Sequence, residues 1–172
     1  MNNYLLFAKD DKAYDFGFEK TIFLDDIAVV RGETKKGLLK ECSRAKSAGK
    51  IVVFRALTEE MLRFALEKSQ VDIVLGAEII HPKDSMHYLR SGYDQVLCKI
   101  AKEKGKKIGF SFSDILNSKN RSRLIARMRV NLRLCRKYGV SVVFSNFSKS
   151  YGEIRSAKDL AAFGRILGER FK

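Results

Sequence analysis

The side chains able to act as nucleophiles, bases or metal ligands are few in this chain and poorly spaced for such work. Its two histidines, His81 and His87, fall in one irregular stretch. Their separation matches neither the i,i+4 spacing that sets two imidazoles on one helix face nor a known ligand motif. His81 is expected to shape the loop before Pro82 and His87 to pack beside Tyr88, with no metal site. Asp25 and Asp26 are adjacent acids, but neighbours in a strand point to opposite faces. A turn or a helix start suits them better than acid–base catalysis. No G-x-S-x-G, Walker loop or G-x-G-x-x-G occurs. Ser145, Asn146, Ser148 and Gly152 could cradle a phosphate, although Ser/Gly loops are mostly turns. Cys42, Cys98 and Cys135 are odd in number with no close pair along the chain. That argues against a disulfide framework or a zinc knuckle and for three small, buried, reduced thiols.

The strongest chemical signal is cationic. Residues 120–139 read NRSRLIARMRVNLRLCRKYG. Leu124, Ile125, Met128, Leu132 and Cys135 fall on one face at helical spacing. Arg129, Arg133 and Arg136 flank that face on one side, Arg123 and Arg127 on the other, and Arg121 opens the helix. Asn120 or Ser122 can cap its start and Gly139 can end it. No acid occurs between Asp114 and Glu153, so the six arginines and one lysine repel unless something anionic lies across them. A solvated face is the plain reading of such a charge run. The whole-chain balance favours more than that. Residues 1–86 hold 14 basic and 14 acidic side chains, and residues 87–172 hold 20 and 6, so the second half carries the entire net charge of +14. Such one-sidedness suggests a surface facing phosphates. Arginine in preference to lysine suits bidentate phosphate contact.

A membrane is the weaker partner, because the basic helix has no aromatic residue on its apolar face for interfacial insertion. No apolar run approaches a membrane-spanning length. The start, MNNYLLFAKDD, is too short and too soon acidic for a signal peptide. A cytoplasmic location is expected.

The elements that must position these groups follow from periodicity. Short apolar runs at Tyr4–Phe7, Thr21–Leu24 and Ile27–Arg31 read as strands. Thr34 caps a helix to Ala48 with Leu38, Leu39, Cys42 and Ala45 inward. Ile51–Phe54 is a continuous apolar run, the mark of a strand covered on both faces. Thr58 opens a helix with Met61, Leu62, Ala65 and Leu66 inward, and Val71–Leu75 is the next strand. Ser91–Asp94 has capping-box spacing ahead of a helix to Lys104 that buries Tyr93, Val96, Leu97 and Ile100. Strands at Lys107–Phe112 and Val140–Phe144 bracket the arginine helix. Ser156–Asp159 repeats the capping box before a last helix ending near Gly168. Alternating helices and continuous apolar strands imply a parallel sheet covered by helices. About seven strands in a single domain, residues 1–172, fit an α/β fold of the (β/α) TIM-barrel-like class, trimmed or irregular because the chain is shorter than such barrels usually are. An open doubly wound sheet is the alternative.

The order of segments in the second half is familiar. The chain reads RSGYDQVL from Arg90, IGFSF from Ile108, RSRL from Arg121, MRVNLRL from Met128, KYGV from Lys137 and RSAKDL from Arg155. From about Val71 to Leu167 this resembles the barrel-fold protein subunit of archaeal RNase P, RNase P protein component 3. The resemblance implies a subunit of the ribonucleoprotein that cleaves the 5′ leader from precursor tRNA. It further implies that the RNA subunit carries out hydrolysis with bound magnesium, while this chain binds no cofactor and has no catalytic residue of its own. The implied partners are RNase P RNA, a small RNase P protein subunit as direct partner and the other RNase P proteins, with precursor tRNA as holoenzyme substrate. By position, Arg90, Gln95, Arg155 and Asp159 belong to the family's polar signature, although Asp159 also fits a capping box with Ser156. The N-terminal part is short beside typical members, so the first strand–helix units are expected to be reduced.

The RNA-contact set expected on these grounds is Arg90, Arg121, Arg123, Arg127, Arg129, Arg133, Arg136 and Arg155. Two other readings remain: a stand-alone barrel phosphoesterase or nuclease using His81, Glu78 and the Ser145–Gly152 loop, and a general RNA-binding scaffold.

Overall fold

The apolar runs become seven short strands: β1 (Asn2–Tyr4), β2 (Lys20–Ile22), β3 (Ile27–Val30), β4 (Ile51–Arg55), β5 (Ile73–Leu75), β6 (Lys107–Ser111) and β7 (Val142–Ser145). This is seen in a computed structural model that describes residues 1–14 and 16–168. The helices are α1 (Lys35–Ser47), α2 (Glu59–Lys68), α3 (Gln95–Glu103), α4 (Phe112–Leu116), α5 (Arg121–Tyr138) and α6 (Ala157–Leu167). Strands β3 to β7 pair in parallel in sequence order, and β1 pairs in parallel with β2. A parallel bridge between Leu5 and Ser148 joins the two sheets, with the Leu6 N–H donating to the Ser148 carbonyl at 2.7 Å. The wall therefore runs β3-β4-β5-β6-β7-β1-β2. No ladder links β2 back to β3 among the described residues.

Strand alternation splits the apolar side chains between two cores. Val30, Val52, Phe54, Val74, Ile108, Phe110 and Phe144 point outward into the core shared with the helices. Tyr4, Ile22, Ile27, Val53, Ile73, Leu75 and Phe147 point inward and fill the bore, with the Tyr4 and Phe147 rings stacked at 5.4 Å. Five strands and the segment after β7 feed one interior, so the α/β architecture is a TIM-barrel-like one with a seam between β2 and β3. The expected shortening is visible there. Three-residue strands β1 and β2 are followed not by helices but by single 3-10 turns, Asp11–Tyr14 and Leu24–Asp26. The second turn contains Asp25 and Asp26, and it stops β2 at Ile22 instead of Leu24. Strand β1 lies earlier than the apolar run at Tyr4–Phe7, because beyond Tyr4 the chain makes a single bridge rather than a ladder.

Helix starts follow the capping chemistry at four of the five expected places. Thr34, Thr58, Asn120 and Ser156 accept from the N–H groups of Gly37, Met61, Arg123 and Asp159, and Ser156 with Asp159 forms a full capping box. The fifth differs. Asp94, not Ser91, caps α3 by accepting from the Leu97 N–H. Gly92 holds φ +93°, and a Cβ there would lie 2.2 Å from the Ala77 carbonyl oxygen. The chain at Ser91–Gly92 is thus pressed against the segment after β5 and cannot begin a helix. With the start moved to Gln95, Val96 turns outward at 45% exposure, and Leu97, Cys98 and Ala101 form the buried face. Leu39 also faces solvent, at 42%, leaving Leu38, Cys42 and Ala45 as the inner stripe of α1.

Bore packing is tightest at Gly109 on β6. A Cβ there would stand 2.4 Å from Leu75 Cδ2 and 2.9 Å from Ile73 Cγ2, and both neighbours are fully buried. Overpacking a closed core typically costs about 1–3 kcal/mol. Gly109→Ala is therefore expected to lower stability by about that amount, read as a reduced urea midpoint with an unchanged slope.

Candidate nucleic-acid interface

Helix α5 forms as its sequence requires at both ends. The Asn120 side chain accepts from the Arg123 N–H, and Gly139 closes the helix at φ +65°. Its inner face is Leu124, Met128, Leu132 and Cys135, with Ile125 half-buried. Two polar residues at the same spacing, Arg127 and Asn131, are also buried. Asn131 Nδ2 donates to the Ser91 carbonyl at 2.8 Å. Sequence periodicity did not find these two, because the periodic signal counts only apolar residues.

Arg127 is the main correction to the expected contact set. It is 3% exposed. Its Nε donates to Asp84 Oδ1 at 2.8 Å, and its Nη1 donates to the carbonyls of Glu78 at 2.9 Å and His81 at 2.7 Å. Its Nη2 lies 2.7 Å from Asp84 Oδ1. The guanidinium thus clamps the loop after β5 onto α5 and offers nothing to an outside anion. Arg123 shares the arrangement, donating to the Pro82 carbonyl at 2.6 Å with its Nε 3.7 Å from Asp84 Oδ2. Burial works against ionised Asp84. The Arg90 N–H, the Arg127 hydrogen bond and the charges of Arg127 and Arg123 outweigh it and hold the carboxyl below its ordinary range. An acid absent from the helix itself is supplied by tertiary structure.

The remaining arginines divide. Arg129 and Arg133 are exposed, one turn apart, and make no ion pair among the described residues. Arg121 is exposed and donates to the Leu116 carbonyl at 2.9 Å, and exposed Arg136 donates to the Gly168 carbonyl. Arg90 is exposed, with its backbone N–H on Asp84. Arg155 is half-buried: its Nη1 reaches the Ile154 carbonyl at 2.8 Å, and its backbone exchanges hydrogen bonds with the Asn146 side chain. Gln95 Oε1 accepts from the Tyr138 hydroxyl at 3.3 Å. Asp159 completes the capping box of α6.

The groups at the C-terminal ends of the strands are locked to one another. Arg55 pairs with Asp114 at 2.6 Å. Ser113 donates to Glu153 at 2.6 Å, and Asn117 donates to the same carboxylate at 2.8 Å. Ser145 and Asn146 both bond buried Asn3, and with Ser148 they are fully buried. That loop staples β1 to β7 rather than opening a phosphate cradle. His81 is paired with Glu59 at 2.6 Å. Among the described residues no group of three His, Cys, Asp or Glu is placed to hold a metal ion. Cys98 and Cys135, distant in sequence, meet between α3 and α5, where the hydrogen bond with Cys98 and burial push the Cys135 thiol up. Glu78 is buried, with one carboxyl oxygen unpartnered. Desolvation raises its pKa to about 7, with Asp114 adding and Arg55 and Arg127 opposing.

Residues 26–170 match the family model described as RNase P subunit p30. The chain belongs to that family. The match begins well before Val71 and leaves out the first 25 residues. Ribonuclease P protein component 3 of Methanosarcina acetivorans is 30% identical over 153 residues, covering 85% of this chain and 61% of that protein. The counterpart from Methanosarcina mazei is 32% identical over 125 residues, covering 72% of this chain and 49% of its own length. This p30 chain thus spans less than two thirds of these relatives. Its fold is similar to a chain in the cryo-EM structure of archaeal ribonuclease P with mature tRNA, with a TM-score of 0.75, 23% identity, and coverage of 98% of this chain and 73% of that one.

The two classes of arginine predict stability effects of very different size. Arg127→Met leaves the Glu78 and His81 carbonyls without this donor and Asp84 with only the Arg90 N–H and Arg123, and is expected to cost about 3–5 kcal/mol. Arg129→Ala and Arg133→Ala are each expected to stay within about 0.5 kcal/mol of wild type. Chemical denaturation of the three variants checks both. Glu78 makes a further prediction. Its folded pKa lies above its unfolded value, so the stability it allows is complete below about pH 4.5 and is lost as pH rises through about 7. Glu78→Gln is expected to stabilise the protein by on the order of 3 kcal/mol at pH 8 and to be near neutral at pH 4.5.

Proposed function

We propose that this chain is a protein subunit of ribonuclease P and supports the catalytic RNA through a basic surface, without hydrolysing RNA itself. The observation that carries the reading is the outer face of α5, where Arg129 and Arg133 stand exposed and unpaired among the described residues in a chain of the p30 family. Guanidinium pairs at i,i+4 spacing are side by side on a helix surface, and such groups bind phosphate in bidentate fashion. Arg90, Arg121, Arg136 and half-buried Arg155 complete the contact set; Arg127 and Arg123 brace α5 through the loop after β5. RNase P RNA is the polyanion this surface meets, and magnesium held by that RNA supplies the hydrolytic chemistry. A small RNase P protein subunit is the direct protein partner, alongside the other RNase P proteins, and precursor tRNA is the substrate of the whole assembly. No described helix is long and apolar enough to cross a membrane, which accords with a place in the cytoplasm. The stand-alone phosphoesterase reading is not favoured, because its three elements are buried or mutually engaged: Glu78, His81 with Glu59, and Ser145–Ser148.

Cleavage of precursor tRNA by the reconstituted RNA and proteins tests the assignment. Omitting this chain is expected to lower the rate or raise the magnesium requirement, and no change in either overturns it. Arg129→Ala combined with Arg133→Ala is expected to reduce the salt slope of RNA binding by about two units. An unchanged slope would move the contact surface off α5.

A further inference from the structure

The end of the barrel opposite the strand-end cluster is lined with lysine. The turns entering β4 and β6 bring Lys46, Lys50, Lys104, Lys106 and Lys107 around one cavity of about 670 Å³ at the mouth of the bore. Lys107 shares a strand face with Gly109, which abuts Ile73 and Leu75 in the bore, so its side chain stands at that mouth. Asp72 is the one acid lining the cavity. It is engaged, taking Lys46 at 2.6 Å and the Val52 N–H at 2.7 Å. Lys104 meets Glu103 at 3.0 Å on the surface. Lys106 donates to the Ser69 carbonyl at 2.7 Å. Lys50 and Lys107 make no ion pair among the described residues. Desolvation pulls the Lys106 ammonium down; Asp72 opposes this, and the charges of Lys46 and Lys104 add to it. Last-turn lysines such as Lys46 are explained by the helix dipole. Lys50, Lys106 and Lys107 are not, because they lie beyond the helix ends, on or next to the strands.

We infer that this lysine-ringed mouth is a second RNA-contact site, which takes phosphodiester groups of an RNA strand continuing from the arginine face of α5. The inference rests on the RNA-bound reading above. Two observations favour RNA over an acidic protein. First, cationic side chains lead from the foot of α5 by way of Lys102 in the last turn of α3, two residues before Lys104 at the mouth. The foot of α5 reaches this end of the barrel, where the Cβ position of Gly139 lies 3.7 Å from Lys102 Cε, and Arg136 and Lys137 occupy its last turn. An 18-residue helix is about 27 Å long, a span of several phosphates. Second, none of the exposed large hydrophobic side chains lines the mouth. Protein interfaces need an apolar centre and are depleted of lysine, whereas phosphate binding needs only charge and reach.

Lys50→Gln combined with Lys107→Gln tests the site in the full chain, assembled with RNase P RNA and its protein partners. Both side chains reach solvent, so the unfolding temperature is expected to hold. The salt slope of RNA binding is expected to fall by about 1.4–1.8, or 0.7–0.9 per lost phosphate contact. Amine-reactive labelling of Lys50 and Lys107 is expected to be blocked by RNA. If the slope and the labelling are unchanged while Arg129→Ala with Arg133→Ala still lowers the slope, the mouth is not a contact and the α5 reading stands. If the wild-type chain shows no salt-dependent RNA binding, both readings fall. Protection of the lysines by the partner proteins without RNA would assign the mouth to an acidic protein surface and overturn the proposal.

Discussion

A single buried guanidinium holds the upper part of this molecule together. Arg127 meets Asp84 and the carbonyls of Glu78 and His81, and so ties the irregular segment after β5 to the long helix after β6. A parallel barrel has no ladder hydrogen bonds in its crossing loops, so such a loop needs side-chain donors to satisfy its carbonyls. One arginine does this for two of them and neutralises an acid as well. Breaking such a pair leaves charges and dipoles without partners in a poorly hydrated place. The neighbouring Gly92, pressed against Ala77, and Asn131, bonded to Ser91, belong to the same junction.

Beneath that junction the barrel is reduced but continuous in its packing. Five parallel strands form the regular wall, and β1 and β2 complete it through one bridge and a pair of stacked rings. The seam between β2 and β3 is tolerated because the bore is filled by side chains from both sides of it, Ile22 and Ile27 among them. Ser145, Asn146 and Asn3 add a buried polar staple that fixes β1 against β7. The polar side chains at the strand-end pole are engaged with one another, Arg55 with Asp114 and both Ser113 and Asn117 with Glu153.

The consequence for electrostatics is a division of labour among like side chains. Arginines that find tertiary partners, Arg127 and Arg123, set the position of α5. Arginines that find none, Arg129 and Arg133, give that helix its outward field. The lysines at the opposite pole continue the same sign around the foot of the helix. A chain with +14 formal charge folds despite self-repulsion because solvent and salt screen its exposed charges.

The amino-acid order by itself determined the alternation of helices and parallel strands, four of the five expected caps, the apolar stripes of α2 and α5, and the concentration of positive charge in the second half. These are local or additive properties, written in spacing and count. It also carried the family likeness, through the combination of the Arg90–Leu97 run, the arginine helix and the Arg155–Leu160 run. Tertiary structure alone decided which arginines are free. Asp84 stands 43 residues from Arg127, and no periodicity connects them. The start of α3 was likewise decided at a distance, by the Ala77 carbonyl against Gly92, and so was the meeting of Cys98 with Cys135. The lysine mouth was invisible for the same reason: Lys46 and Lys50 belong to one crossing, and Lys104, Lys106 and Lys107 to another. Only the placing of β4 and β6 on either side of β5 sets them around one opening, because a side chain's partners depend on the path of the backbone through space and not on its neighbours along the chain.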